Sequence, residues 1–158
     1  MFTRLTALTA LIVTAIVVTG AASAGGRATT QRIAITSQGA AFATFVVTPL
    51  APGAVVRDAG TSSACCWTRR FVTRDGESVE IDNPLKTFVG KRGTFTWRAQ
   101  ISWVEAGASF VIGTGTWKIV RGTGAYSHLH GGGRLVTLIH DDDSGVTLRA
   151  EGAVSTNG

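Results

Sequence analysis

Residues 94–105 constrain the fold more than any other segment, because apolar and polar side chains alternate along them. Successive side chains of a β-strand point to opposite faces of a sheet, so a period of two predicts a strand. One face would carry Phe95, Trp97, Ala99, Ile101 and Trp103. The other face would carry Thr94, Thr96, Arg98, Gln100 and Ser102. A shift by one residue would place three large aromatic rings in water, so we expect Trp97 and Trp103 to face the interior.

Six further segments alternate more weakly, and no long segment after residue 24 has a helical period. They are residues 41–48, 66–74, 78–81, 109–120, 135–140 and 146–154. Asn83-Pro84 should end the strand over 78–81, since proline cannot donate to a ladder. Gly113 and Gly115 share one face of their strand and indicate a bend or a close approach between backbones. Roughly seven to nine strands with short connections favour closure, so we predict an all-β fold, a closed antiparallel barrel of about eight strands.

Residues 1–24 have the parts of a secretory signal peptide. Arg4 supplies the positive charge, residues 5–18 are apolar or Thr, and Ala22-Ser23-Ala24 offers the small residues that cleavage requires. The alternative is a membrane anchor, but a span needs about 20 apolar residues and no basic cluster follows. We therefore predict a signal-peptide helix over 1–24 and a single barrel domain over 25–158. The mature protein would be secreted, with no stable membrane anchor.

The formal net charge of +5 does not indicate a nucleic-acid partner. The basic residues do not form a stripe interleaved with stacking aromatic rings, which is the pattern of nucleic-acid binding. They lie instead among alternating apolar residues, as on the solvated exterior of a barrel. The excess of Arg over Lys, together with the form of the signal peptide, is typical of a bacterial secreted protein.

A glycine-rich motif over residues 113–126, followed by Leu129 and Gly131, carries a family resemblance. It resembles the signature of the allene oxide cyclase-like and dirigent-like barrels, in which a glycine-rich strand enters a Gly-Thr-Gly-aromatic turn. The resemblance implies an eight-stranded antiparallel barrel, commonly a homo-oligomer, with a mostly apolar cavity. It carries no catalytic residue over, because the polar groups of the plant cyclase and the acidic residues of dirigent cavities match no position here.

The turn within this motif also makes physical sense. Gly122 and Gly124 allow a positive φ at a tight reversal. The hydroxyl of Thr123 would cap the following turn, and the ring of Tyr126 would pack across the end of the barrel.

The residues predicted to contact a ligand are mostly aromatic. They are Trp97, Arg98, Trp103, Trp117 and Tyr126. Glu80 and Glu105 are further candidates for a cavity lining, whereas Arg98 would enter the cavity only if Trp97 and Trp103 faced outwards. No catalytic triad, nucleophile elbow, phosphate loop or metalloprotease motif is found, and no cofactor is predicted.

Cys65 and Cys66 are the only cysteines and are adjacent. Neighbouring side chains of a regular strand point to opposite faces, so pairing them requires a distorted turn. Three arrangements remain open: a vicinal disulfide, two free thiols, or bridges to another chain.

Two sets of residues resemble metal ligands but do not predict a metal site. His128, His130 and His140 lack a third ligand placed by spacing, and we expect exposed turn histidines. The segment Asp141-Asp142-Asp143-Ser144-Gly145 lacks the remaining oxygen ligands of a calcium loop, and an acidic hairpin turn accounts for it better.

Three functions fit these features. The first is a secreted barrel that binds a small apolar ligand or serves a structural role without catalytic machinery. The second is an isomerase or cyclase whose cavity shapes a reactive ligand. The third is a dirigent-like protein that steers radical coupling. The second and third require a cavity with a few convergent polar groups.

Overall fold

The computed structural model describes residues 29–39, 42–106, 110–140 and 145–156. The predicted signal peptide, the domain boundary after residue 24 and Asp141 to Ser144 lie outside these residues. Within them the chain forms ten β-strands and one short 3₁₀ turn at Gly124–Tyr126. The strands are β1 (Gln31–Gln38), β2 (Phe42–Pro49), β3 (Asp58–Cys65), β4 (Arg69–Arg74), β5 (Glu77–Asp82), β6 (Leu85–Gly90), β7 (Gly93–Glu105), β8 (Phe110–Gly122), β9 (Leu129–His140) and β10 (Val146–Thr156).

Eight of the strands close into an antiparallel barrel, which confirms the predicted fold class. Around the barrel the order is β7, β6, β3, β2, β1, β10, β9, β8, and β8 pairs again with β7. The first and last strands, which are far apart in sequence, are neighbours in the barrel, since β1 pairs with β10 along its whole length. Gly115 allows β8 to approach β7 closely, because a Cβ there would overlap the carbonyl oxygen of Gln100.

Strands β4 and β5 form a hairpin that continues two barrel strands past the rim. Strand β5 pairs with β7 in the same register as β6 does, and the carbonyl oxygen of Pro84 accepts the N–H of Ala99 between them. The sequence predicted that Asn83-Pro84 would end a strand. The structure shows that it interrupts one, because β6 follows directly. The hairpin turns at Asp75 and Gly76, which both have positive φ.

Aromatic rings fill the barrel interior. The rings of Phe88 and Phe95 stack with centroids 4.6 Å apart. Trp97 packs against Phe88 at 4.6 Å and against Trp117 at 5.0 Å. Trp97 is 1% exposed, and Trp103 is partly buried against the same core. Both tryptophans therefore face inwards, as the alternation predicted.

The end of the barrel opposite the hairpin is sealed. The ring of Tyr126 packs across this end against Phe95, with centroids 5.1 Å apart, as the motif predicted. Gln31 is buried at the same end, and its side chain donates to the carbonyl oxygens of Ala51 and Val55. The loop after β2 is thereby held against the first strand.

Candidate functional site

The open end of the barrel has a groove of about 670 Å³ between the hairpin, the last residues of β7 and β9, and the first residues of β8. Strand β5 pairs with β7 only through Ile81 with Ser102 and Asp82 with Ile101. From there towards the hairpin tip the two strands separate. The groove therefore exists because β5 leaves the barrel wall, whereas β7 continues along β8 as far as Glu105.

The inner face of the barrel continues into this groove. Residues directly opposite each other on paired strands share a face. Asp82 lies opposite the inward-facing Ile101, so the side chains on this face of the hairpin look towards the barrel mouth. The inner-face side chains that line the groove are Arg69, Phe71, Glu80, Asp82, Trp103, Glu105, Val111 and Ile139.

A buried carboxylate at the floor of the groove ties the hairpin to the barrel. Asp82 is 3% exposed and accepts a hydrogen bond from the indole Nε1 of Trp103 at 3.1 Å. It also accepts from Arg69, with Nε at 3.0 Å and Nη2 at 3.3 Å. The same Nε lies 2.8 Å from Oε1 of Glu80. The hydrogen bond and the charge of Asp82 raise the pKa of Arg69, so the guanidinium remains a cation.

Negative charge dominates the groove, although the chain as a whole is basic. The lining includes one arginine and four carboxylates, namely Arg69 with Glu77, Glu80, Asp82 and Glu105. Arg69 is shared by Glu80 and Asp82. Within the described residues, neither Glu77 nor Glu105 forms an ion pair. Glu105 shares the inner face with Trp103 and remains available to a ligand, whereas Glu77 lies on the other face of β5, opposite Arg74.

The structure separates the residues predicted to contact a ligand. Trp103 lines the groove, whereas Trp97 and Trp117 lie in the filled core. Tyr126 lies at the sealed end, and Arg98 is exposed on the outer face. Glu80 and Glu105, the other cavity candidates, both line the groove.

Sequence reasoning missed Arg69, Phe71 and Asp82 as groove residues. The alternation around Arg69 and Phe71 marks them as strand neighbours on one face. It does not show that this face continues the interior of the barrel, because that depends on how β5 pairs with β7.

Lys86 is a second charged group that faces inwards. It lies opposite Trp97 in the pairing of β6 with β7, and its Nζ is 5.9 Å from the ring centroid of Phe88. It forms no ion pair within the part of the chain that the structure describes. Burial lowers the pKa of this ammonium below its ordinary value of 10.5.

Asp58 anchors the sealed end. Its carboxylate accepts the hydroxyl of Tyr126 at 2.8 Å and the N–H groups of Ala59, Lys91 and Arg92. Burial alone would raise the pKa of Asp58, but these hydrogen bonds outweigh it and lower the pKa below 3.8. Burial and the bond to Asp58 raise the pKa of Tyr126. The Asp58–Tyr126 pair holds together the start of β3, the β6–β7 turn and the 3₁₀ turn. It does not line the groove.

The turn motif differs from its prediction at Gly122 and Thr123. Gly124 has the predicted positive φ of 57°, whereas Gly122 does not and is instead pressed against the backbone of Tyr126. The hydroxyl of Thr123 does not cap the 3₁₀ turn and accepts the N–H of Thr94 at 3.1 Å. The reason is that the β6–β7 turn packs directly against this motif.

Cys65 and Cys66 are joined in a disulfide at the junction of β3 with the segment leading into the hairpin. Cys66 has a φ of 58°, which supplies the distorted backbone that adjacent cysteines need to pair. Both residues are exposed. The bridge lies where β3 ends, three residues before β4 begins at Arg69.

His128 and His130 are exposed, and His140 ends β9. Over the described ranges, no three His, Cys, Asp or Glu side chains are grouped so that they could hold a metal ion. The described part of the chain also has no helix of the length and apolarity needed to cross a membrane.

The fold and the groove define a small β-barrel protein that is sealed at one end and open at the other. In comparisons with known proteins, the chain matches no protein-family model, and no curated protein or solved structure shows a significant similarity to it.

Proposed function

We propose that this protein is a secreted β-barrel binding protein that holds a small ligand with an apolar body at the open end of the barrel. The observation that carries the proposal is the groove between β5 and β7, with Trp103 on its inner wall. Its volume of about 670 Å³ falls within the range of small-molecule sites, roughly 300–1,000 Å³.

The lining supports a ligand that is largely apolar. Phe71 is 63% exposed and Ile139 is 37% exposed, so both present apolar surface that water covers in the free protein. Displacing that water would favour binding, at about 25 cal/mol for each Å² of apolar area buried. Because aromatic rings fill the core, the proposed ligand would bind at the mouth and not deep in the barrel.

Export rests on the features of residues 1–24. A disulfide between Cys65 and Cys66 agrees with it, because disulfides persist in oxidising compartments outside the cytosol.

The test uses 1-naphthalenemethanol as a neutral probe and isothermal titration calorimetry on the mature protein. Ile139→Trp should fill the groove and weaken binding by roughly tenfold or more, since the added ring occupies the ligand volume. Val136→Trp is the matched control, because Val136 lies on the same strand with a similar exposure of 39% but on the outer face. No binding to the unaltered protein, or equal binding to both variants, would rule out the groove as the site.

A second candidate function is an isomerase, cyclase or dirigent-type protein that steers a reactive ligand. The observation that favours it is the buried Asp82 beside Trp103, a polar group at the floor of a groove. Such a protein must bias the stereochemistry of a cyclisation or a radical coupling. If the enantiomeric ratio of the products is the same with and without the protein, this candidate is excluded.

A further inference from the structure

We propose that the ligand of the groove is a cation, a primary or quaternary amine carried on an aromatic or aliphatic body. This inference rests on the proposed function and specifies the chemistry that the same groove selects. It follows from the charges and rings that line the groove.

The lining of the groove carries a net negative charge. The carboxylates of Glu80 and Asp82 share one guanidinium, so the floor retains one negative charge. Glu105 adds a second, without an ion pair among the described residues, whereas Glu77 lies on the other face of β5, opposite Arg74. Carboxylates in a concave site with a low-dielectric wall focus their field into it and raise the local concentration of cations.

Positive charges elsewhere on the chain do not cancel the negative field of the groove. Lys86 is the inward-facing lysine, and it lies opposite Trp97, six residues along β7 from Trp103. At about 3.3 Å per residue, that separation is roughly 20 Å. The Debye length at physiological salt is about 8 Å, so exposed arginines beyond that distance are largely screened from the groove. The buried Lys86 is screened much less, but its single positive charge does not balance the two negative charges of the groove.

The groove also has an aromatic surface. Trp103 and Phe71 both contact the groove, and the face of an aromatic ring attracts an ammonium group. An amine on an apolar body would therefore place its charge among carboxylates and its body against rings and aliphatic side chains. An anion of the same shape would meet two uncompensated negative charges.

The test compares three probes of one shape: 1-naphthylmethylammonium, 1-naphthalenemethanol and 1-naphthoate. Calorimetry on the mature protein at low salt, with a chelator present, should show the ammonium binding about three- to tenfold more tightly than the alcohol, and the naphthoate more weakly than either. The advantage of the ammonium over the alcohol should shrink as salt is raised, because salt screens the attraction.

The variant Glu105→Gln should reduce the affinity for the ammonium by roughly threefold and leave the affinity for the alcohol unchanged. The matched control is Glu151→Gln, which removes the same charge from the outer face of β10. It should change neither affinity.

The outcomes separate this inference from the proposed function. If the alcohol and the ammonium bind equally, or the naphthoate binds most tightly, the cation preference is wrong while the binding site stands. If none of the three probes binds, both proposals fail. A loss of ammonium affinity in Glu151→Gln equal to that in Glu105→Gln would also overturn the preference, since the effect would then come from overall charge.

Discussion

At the scale of single residues, the surroundings of two inward-facing ionisable groups have opposite effects on their charged forms. Asp58 has four hydrogen-bond donors and keeps its charge, whereas Lys86 has aromatic neighbours and burial disfavours its charge. The sequence predicted the place of Tyr126 from its turn motif. It did not predict Asp58 as the partner, because the two residues are 68 positions apart and meet only when the barrel closes.

Asp58 should make the protein sensitive to acid. Its pKa is lowered in the folded state, so its stabilising contribution is complete above the unfolded pKa, near 3.8, and is lost as the pH falls through the lower folded value. Asp58→Asn should have a lower free energy of unfolding than the unaltered protein at pH 7. Between pH 5 and pH 2 it should lose less of that free energy than the unaltered protein does, by about 1 kcal/mol or more. Urea unfolding across this range measures both; parallel pH profiles of the two proteins would contradict the account.

Lys86→Met should stabilise the protein. A lysine whose pKa is lowered by burial destabilises the fold at a pH at which it is charged, and methionine fills a similar volume without a charge. We expect a gain of about 1 kcal/mol at pH 7, which disappears as the pH rises past the pKa of Lys86. Lys118→Met, on the exposed face of β8, is the control. A loss of stability in Lys86→Met would show that the ammonium has a stabilising partner.

At the scale of elements, the β4–β5 hairpin makes the difference between a plain barrel and one with a groove. The sequence predicted both of its strands, since both alternate, but not that they extend past the rim. That arrangement depends on Pro84, whose carbonyl oxygen keeps β5 and β6 in one register on β7. The neighbouring strand β3 ends at the Cys65–Cys66 disulfide.

Replacing both cysteines by serine should barely change the stability of the barrel. A disulfide stabilises a protein mainly by restricting its unfolded chain, and the effect grows with the length of the loop that it closes. Adjacent cysteines close almost no loop, so we expect a change in unfolding free energy below about 1 kcal/mol. Differential scanning calorimetry of the double variant tests this expectation. A loss of several kcal/mol would mean that the bridge holds the hairpin and the barrel together as one unit.

At the scale of the whole molecule, the sequence predicted a closed antiparallel barrel but missed three of its strands. Strand β3 consists mainly of small and polar residues, and Ser62 on its inner face meets the hydroxyl of Ser37 on β1 at 3.2 Å inside the barrel. A strand with small or polar residues on both faces shows no hydrophobic alternation in its sequence. Strand β1 is hidden in part for the same reason, and β6 is short and directly follows a proline.

The groove lay beyond sequence analysis for a different reason. Glu80 and Glu105 were recognised as candidates for a cavity, but Arg69 and Asp82 become groove residues only where β5 separates from β7. A local period shows which side chains share a face of one strand. It does not show where two paired strands separate.

Closure of the barrel through β1 and β10 is the claim on which the groove and both proposals depend. Nuclear Overhauser effects between backbone protons measure it most directly. The account expects cross-strand contacts for the pairs Ile33 with Gly152 and Ile35 with Ala150, continuous with those of β8 on β7. Absence of the β1–β10 contacts, with the β7–β8 contacts present, would show an open sheet and contradict the account.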